Sequence, residues 1–188
     1  MPPAYKPATK TSSPDQLVIS RLIEVVDGKD KVLGAMPLHD AHKQSIRHRG
    51  VTILAFRPGH KLYLSKRPAR APQYPGRYDV SCSGHVNLGE SRMAAAQRAA
   101  GYKLPFGVER LVEHGMLEAC HQTGHEFVGV YWTRVAGGDA SALHVSETEG
   151  LFVDHDEFLL LKDEFRDLLT PELVHLFEQD CLFPPNTK

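Results

Sequence analysis

The chain has few cysteines, no excess of charge of either sign and no long apolar run. Three cysteines, Cys82, Cys120 and Cys181, occur among 188 residues without CxxC spacing. That excludes a disulfide framework and favours a reducing compartment. Lys and Arg number 22 against 23 Asp and Glu, a formal net charge of −1. Nothing therefore draws the chain as a whole toward nucleic acid or anionic lipid, and phosphate recognition needs a local site. No segment approaches the roughly 20 apolar residues of a membrane span. The opening MPPAYKPATK lacks the apolar stretch of a signal peptide, and internal repeats and low-complexity tracts are absent. The expectation is a soluble, cytoplasmic protein with no nucleic-acid or membrane partner.

What is present is an ordinary globular composition, 41% hydrophobic and 24% charged, on a chain long enough to bury a core without staples. Pro2, Pro3, Pro7 and Pro14 mark residues 1–15 as a flexible N-terminal arm, leaving 16–188 as a single domain. Two β-branched runs, LVISRLIEVV and KVLGAM, flank Asp27-Gly28-Lys29-Asp30 as a hairpin. Leu38–Arg47 reads as a short helix, and Val51–Phe56 with Lys61–Lys66 as a second hairpin. Three prolines make 68–77 a loop. A short strand follows at Tyr78–Ser81, then a turn bracketed by Gly84 and Gly89. Ser91 caps a helix through MAAAQRAA that Gly101 and Pro105 end. Two longer strands are expected at about 108–120 and 126–135, another at 151–153, and a helix over DEFLLLKDEF. Thr170-Pro171-Glu172 starts a last helix, with a cap, proline at the first helical position and an acid at the positive end. The pattern is α/β (α+β), a sandwich with a mixed β-sheet.

One segment carries a family resemblance. Gly84, Glu90 and Arg98 stand in the spacing G-x5-E-x7-R, which resembles the opening of the Nudix box. In that motif, helical glutamates at one-turn spacing hold Mg²⁺ or Mn²⁺ against a diphosphate. The second half of the box is degenerate. Ala99 stands where the family has the glutamate after the arginine, Tyr102 and Lys103 replace the paired glutamates, and Pro105 replaces the following glycine. A cation at 103 disfavours a bound dication by ~1–4 kcal/mol per unit of metal charge at 4 Å. HRGVTILAF at 48–56, LYLSKRPARAPQYPGRYDVSCSGHVNLGES at 62–91 and HEFVGVYW at 125–132 resemble the isopentenyl-diphosphate-isomerase-like branch of the Nudix superfamily. The resemblance covers about 18–175 and implies the Nudix α/β/α sandwich.

It also implies site residues. The branch's histidine after the box glycine matches His85, its histidine before the strand matches His48, and its catalytic glutamate matches Glu126. A second upstream histidine corresponds to His42 with a spacing one residue short. The acid two positions before the catalytic glutamate is here Gly124. The catalytic cysteine falls on Ser83, with Cys82 on the opposite face of an extended segment. A late aromatic falls on Glu172, a poor wall for a carbocation. The candidate metal ligands are therefore His85, His48, Glu90, Glu126, Glu147 and Glu149, the last two from a late acidic loop; Glu126 and Ser83 are the candidate catalytic groups. Each has a plainer alternative: Glu90 a helix-end charge, the histidines satisfied family remnants, Glu147 and Glu149 a solvated loop. Lys66, Arg67, Arg70 and Arg98 are candidates for a diphosphate, with strand-end solvation, or for Arg98 a structural salt bridge, as the alternative. The implied cofactor is Mg²⁺ or Mn²⁺, the implied ligand a nucleotide or other diphosphate, and the implied assembly a homodimer. The expected function is a diphosphate-binding cleft with weak or absent hydrolase activity. The alternative is a divergent metal-dependent hydrolase of nucleoside diphosphate derivatives; isomerase activity is disfavoured by Ser83, Gly124 and Glu172.

Overall fold

The computed structural model describes residues 21–137 and 149–184. The expected arm over 1–15 and the candidate ligand Glu147 lie outside the described residues. Strands β1 (Leu22–Val26) and β2 (Val32–Pro37) form the first hairpin. Its turn is held by Asp27, whose carboxylate accepts from the backbone N–H of Lys29 and Lys31 at 2.8 and 2.9 Å. Helix α1 covers Leu38–Lys43, four residues shorter than expected.

Strand β3 (His48–Arg57) is the spine of the sheet. One edge pairs in parallel with β8 (Glu126–Arg134), from His48 opposite Glu126 to Phe56 opposite Arg134. The other edge is shared in succession by three strands. β1 meets it at His48, β6 (Cys82–His85) pairs antiparallel from Gly50 to Ile53, and β4 (Lys61–Lys66) takes its end. β5 (Tyr78–Asp79) and β9 (Gly150–Val153) pair with β4, and β7 (Val112–Leu117) pairs with β8. The continuous apolar run VTILAF suits a strand covered on both faces.

Alternation sorts the two faces. Val51, Ile53, Cys82, Val86 and Tyr131 face helix α2 (Arg92–Lys103), which meets them with Ala95, Ala96 and Ala99. Leu54, Phe56, Val128 and Val130 face the opposite way. They pack on Phe158 of α3 (His155–Glu164) and on Leu173, Val174 and Leu176 of α4 (Pro171–Glu178). The result is the expected α/β/α sandwich around a mixed sheet. The three longer helices start at side-chain caps. Ser91 accepts from Ala94 N, Asp154 and Glu157 form a capping box, and Thr170 accepts from Leu173 N ahead of Pro171. No helix among the described residues is long and apolar enough to cross a membrane.

Two expectations are corrected. Gly84 lies inside β6, not at a turn, paired with Val51. A Cβ there would lie 3.1 Å from the Ala99 Cβ, so glycine lets the alanine face of α2 approach the sheet closely. Gly89 does sit in a turn, at φ +73. The strand expected over 108–120 is trimmed to Val112–Leu117, with Val108 making an isolated bridge to Val135. Because Ala99 is 3% exposed against Gly84, Ala99→Leu overfills this contact. It is expected to cost about 1–3 kcal/mol, read as a lower urea midpoint with an unchanged slope.

Candidate metal centre and its cleft

Four side chains from four elements converge at the β3 and β8 starts: His42 of α1, His48 of β3, His85 of β6 and Glu126 of β8. Their ligand atoms all lie within 4.8 Å of one another. The backbone explains the meeting. Parallel pairing puts Glu126 beside His48, and antiparallel pairing puts His85 opposite Gly50. All three then point to the α4 face of the sheet. Gly50 leaves the room between them, since a Cβ there would stand 2.0 Å from Glu126 Oε2. His42 comes from the last turn of α1; the helix and the loop after it absorb the spacing that is one residue short.

The contacts are short. His85 Nε2 lies 3.1 Å from Glu126 Oε1 and His48 Nε2 3.5 Å from the same oxygen. The Nε2 atoms of His42 and His85 are 2.9 Å apart. His48 is fully buried and gives its Nδ1 proton to the Ile46 carbonyl at 2.8 Å, which leaves Nε2 facing the cluster. That Nε2 is buried with no hydrogen-bond partner among the described residues.

Burial alone would raise the Glu126 pKa. The contacts with His48 and then His85 overcome it and hold the carboxyl at about 2. Burial opposes charge on His48 too, yet Glu126 and the Ile46 carbonyl raise its pKa. For His42, burial followed by the charge of His85 lowers it. The single negative charge of Glu126 is thus shared among imidazoles, in the position a cation would take.

Further along the same face lie Ser83, opposite Thr52, and Glu172 in the first turn of α4. Thr52 Oγ1 donates to Glu172 Oε1 at 2.5 Å. Ser83, His85, Glu126 and Glu172 remain half-buried beside the fully buried Thr52 and His48. Burial and the neighbouring charge of Asp79 push the Glu172 carboxyl up to about 8, against the opposing hydrogen bond from Thr52. Asp79 itself accepts from Arg67 Nη1 at 2.6 Å and Thr170 Oγ1 at 2.8 Å. Cys82 points to the α2 face, where burial pushes its thiol up to about 12.

The other candidates lie elsewhere. Glu90 is not brought to the cluster, because it is occupied by Arg98 at 2.8 Å and by the Asn87 N–H at 2.9 Å. Arg98 also donates to the His85 carbonyl at 2.8 Å, so it braces a cluster residue. Lys103 donates to the Ser83 carbonyl at 2.6 Å. Arg67 is held by Asp79 and the Gln73 carbonyl, Lys66 lies 5.5 Å over the Tyr78 ring, and Arg70 is exposed on the loop. Glu149 is exposed and contributes backbone, its carbonyl accepting from Tyr63 Oη and Lys66 N. Gly124, at φ +64, faces the cluster, since a Cβ there would lie 3.9 Å from Glu126 Oε1. Thr52, Gly50 and Asp79 were not foreseen. No spacing marks them, because their roles come from strand register.

No protein-family model matches the chain. An isopentenyl-diphosphate Delta-isomerase of Serratia proteamaculans is 27% identical over 141 residues, 70% of this chain and 78% of that protein. An uncharacterized Nudix hydrolase of Streptomyces coelicolor is 34% identical over 83 residues, 44% of this chain and 46% of that one. The crystal structure of DR0079 from Deinococcus radiodurans, elsewhere described as a hypothetical Nudix protein, superposes with a TM-score of 0.67 at 19% identity. It covers 84% of this chain and 98% of its own. The chain is thus similar in sequence to isopentenyl-diphosphate isomerases and to Nudix hydrolases, and it shares the fold of a Nudix protein.

The raised pKa of Glu172 has a consequence for stability. Between the ordinary carboxyl value of 4.5 and about 8, the folded chain keeps a proton that the unfolded chain has released, so stability falls as pH rises through that window. Glu172→Gln keeps the acceptor for Thr52 and removes the titration. In metal-free protein it is expected to be more stable than the parent at pH 8 by a few kcal/mol, at about 1.4 kcal/mol per pK unit. The gap should close toward pH 4.5 in urea titrations.

Proposed function

We propose that this chain is a metal-binding Nudix-superfamily protein that holds a diphosphate ester in the cleft beside His42, His48, His85 and Glu126 and has little or no box-type hydrolysis. The observation that carries this reading is the convergence of three imidazoles and one ionised carboxylate on one point. The donor set fits a divalent ion. The His48 tautomer is fixed from behind by Ile46, its Nε2 is orphaned, and Glu126 is ionised. Three nitrogens and one oxygen suit Mn²⁺ or Zn²⁺ better than Mg²⁺, which prefers oxygen ligands. A bound ion would supply a Lewis-acid clamp for phosphate oxygens.

The chain's own groups do the rest. Arg98, paired with Glu90, braces the end of β6 that carries His85, Ile46 orients His48, and Arg67 adds positive charge that Glu172 senses. The box helix argues against hydrolysis by the usual route. Ala99 is buried in an apolar face, and Glu90 is spent on Arg98. Isomerisation is disfavoured because a hydroxyl, Ser83, stands where the branch has a thiol, and a carboxyl, Glu172, where it has an aromatic ring. A metal-dependent hydrolase working from the His/Glu cluster is the second reading, favoured by the same four residues.

After loading with Mn²⁺ or Zn²⁺ and gel filtration, the protein is expected to retain about one ion per chain by elemental analysis. His85→Ala and Glu126→Gln should lose the ion, whereas Glu90→Gln should keep it. Gly50→Ala, which must displace Glu126, should weaken the metal by roughly 10–100-fold. Retention in Glu126→Gln would remove the basis of this reading. Incubation with nucleoside diphosphate derivatives should give no product by mass spectrometry; cleavage that depends on Glu126 and not on Glu90 would establish the second reading instead.

A further inference from the structure

Strands β3 and β8 carry a second concave site at the end opposite the His/Glu cluster. Phe56 stands eight residues beyond His48 on β3, roughly 26 Å along the strand at ~3.3 Å per residue. Parallel register sets Phe56 beside Arg134, and Trp132 lies two residues before Arg134 on β8. The three therefore share the α4 face of the sheet. With the β3–β4 turn, the segment before β7 and Pro184, they line an open pocket of about 810 Å³. That volume is within the roughly 300–1,000 Å³ of small-molecule sites.

The inner wall of the pocket is aromatic and held in place. His114 stacks on Trp132 at 3.6 Å between ring centroids and 17° between planes, and Phe56 meets the indole edge-on at 6.1 Å. Val135 and Pro184 extend the apolar lining. The rim is cationic. Arg110 and Arg134 are exposed, and neither guanidinium has an ion-pair or hydrogen-bond partner among the described residues. His60 adds a further basic group, while Arg57 lines the pocket with its guanidinium 4.4 Å over the Phe152 ring. Against these stands one lining acid, Glu109.

We propose that this pocket binds an aromatic phosphate ester, with the ring against Trp132 and the phosphate on Arg110 and Arg134. A phosphate monoester carries about −1.5 to −2 charge at neutral pH, which answers two guanidiniums where a carboxylate answers one. Guanidinium N–H groups also fit phosphate oxygens in pairs. The ring is favoured because Trp132 and Phe56 offer it a flat, polarisable surface. A bare phosphate would leave that surface wet, and an aliphatic ester would gain burial without stacking. None of His42, His48, His85 and Glu126 takes part, so this site stands or falls apart from the metal reading.

Trp132 is the sole tryptophan of the chain, so its fluorescence reports on this wall. Full-length protein, in chelator to keep metal from the cluster, is titrated with adenosine monophosphate, adenosine and inorganic phosphate. The monophosphate should quench the tryptophan saturably. Adenosine should need at least about tenfold more, and inorganic phosphate should not quench. Arg110→Ala combined with Arg134→Ala changes exposed side chains alone and should weaken the monophosphate at least about tenfold, through two lost charge-assisted contacts. Glu126→Gln should bind it as the parent does. Absence of saturable quenching, equal binding of adenosine and its monophosphate, quenching by inorganic phosphate, or unchanged binding in the double arginine variant overturns the proposal. Loss of quenching in Glu126→Gln overturns it too, since the ligand would then sit at the cluster.

Discussion

The parallel register of β3 against β8 is the constraint on which the rest depends. It places His48 directly beside Glu126, and in a strand a slip of one residue would turn either side chain to the other face. The slip is resisted by the apolar residues on both faces, where Val51, Ile53 and Tyr131 bury against α2 while Leu54, Val128 and Val130 bury against α4. Hydrophobic packing thus fixes the geometry of a polar site at one end of the same strands. Gly50 is part of this constraint. Any side chain there would occupy the volume of the Glu126 carboxylate, so the space for the cluster is set by a missing Cβ.

The two sheet faces divide the labour between core and chemistry. On one, α2 presents small residues and sits close over Gly84 as a packing element. Its arginine and the glutamate before it form a closed ion pair, a stable arrangement that removes both from ligand chemistry. Arg98 nevertheless reaches across to the site, because its guanidinium also holds the His85 carbonyl. Helix α2 thereby braces the backbone of a cluster residue. This division lets Ala99 serve packing on one face while the other face gathers the His/Glu cluster.

Much of the fold was legible in residue patterns. The first hairpin, the capped helix after Ser91 and the Thr170-Pro171 start are local events, written by turn chemistry and capping within a few residues. The early start of β3 and the strand at Cys82–His85 were not legible, because both depend on partners far away in sequence. His48 pairs with residue 126 and Gly84 with residue 51. The same distinction runs through the site. His48, His85 and Glu126 stood out because a familiar spacing marked them, and Cys82 was correctly assigned to the opposite face by alternation alone. The fate of Glu90 was not readable in advance, since a helix-end acid reads the same whether it binds a cation or Arg98.

The two acids of the cleft show how environment assigns opposite characters to one functional group. Glu126 lies among imidazoles and is driven to about 2; Glu172 faces the charge of Asp79 in a desolvated corner and is driven to about 8. Burial acts on both in the same direction, so the difference is made by neighbours. The cluster around Glu126 therefore carries an ionised carboxylate among imidazoles, while Glu172 stands in a corner that disfavours its charge. Asp79 sustains the difference from behind. It accepts from Arg67 and Thr170, which fix its carboxylate beside Glu172.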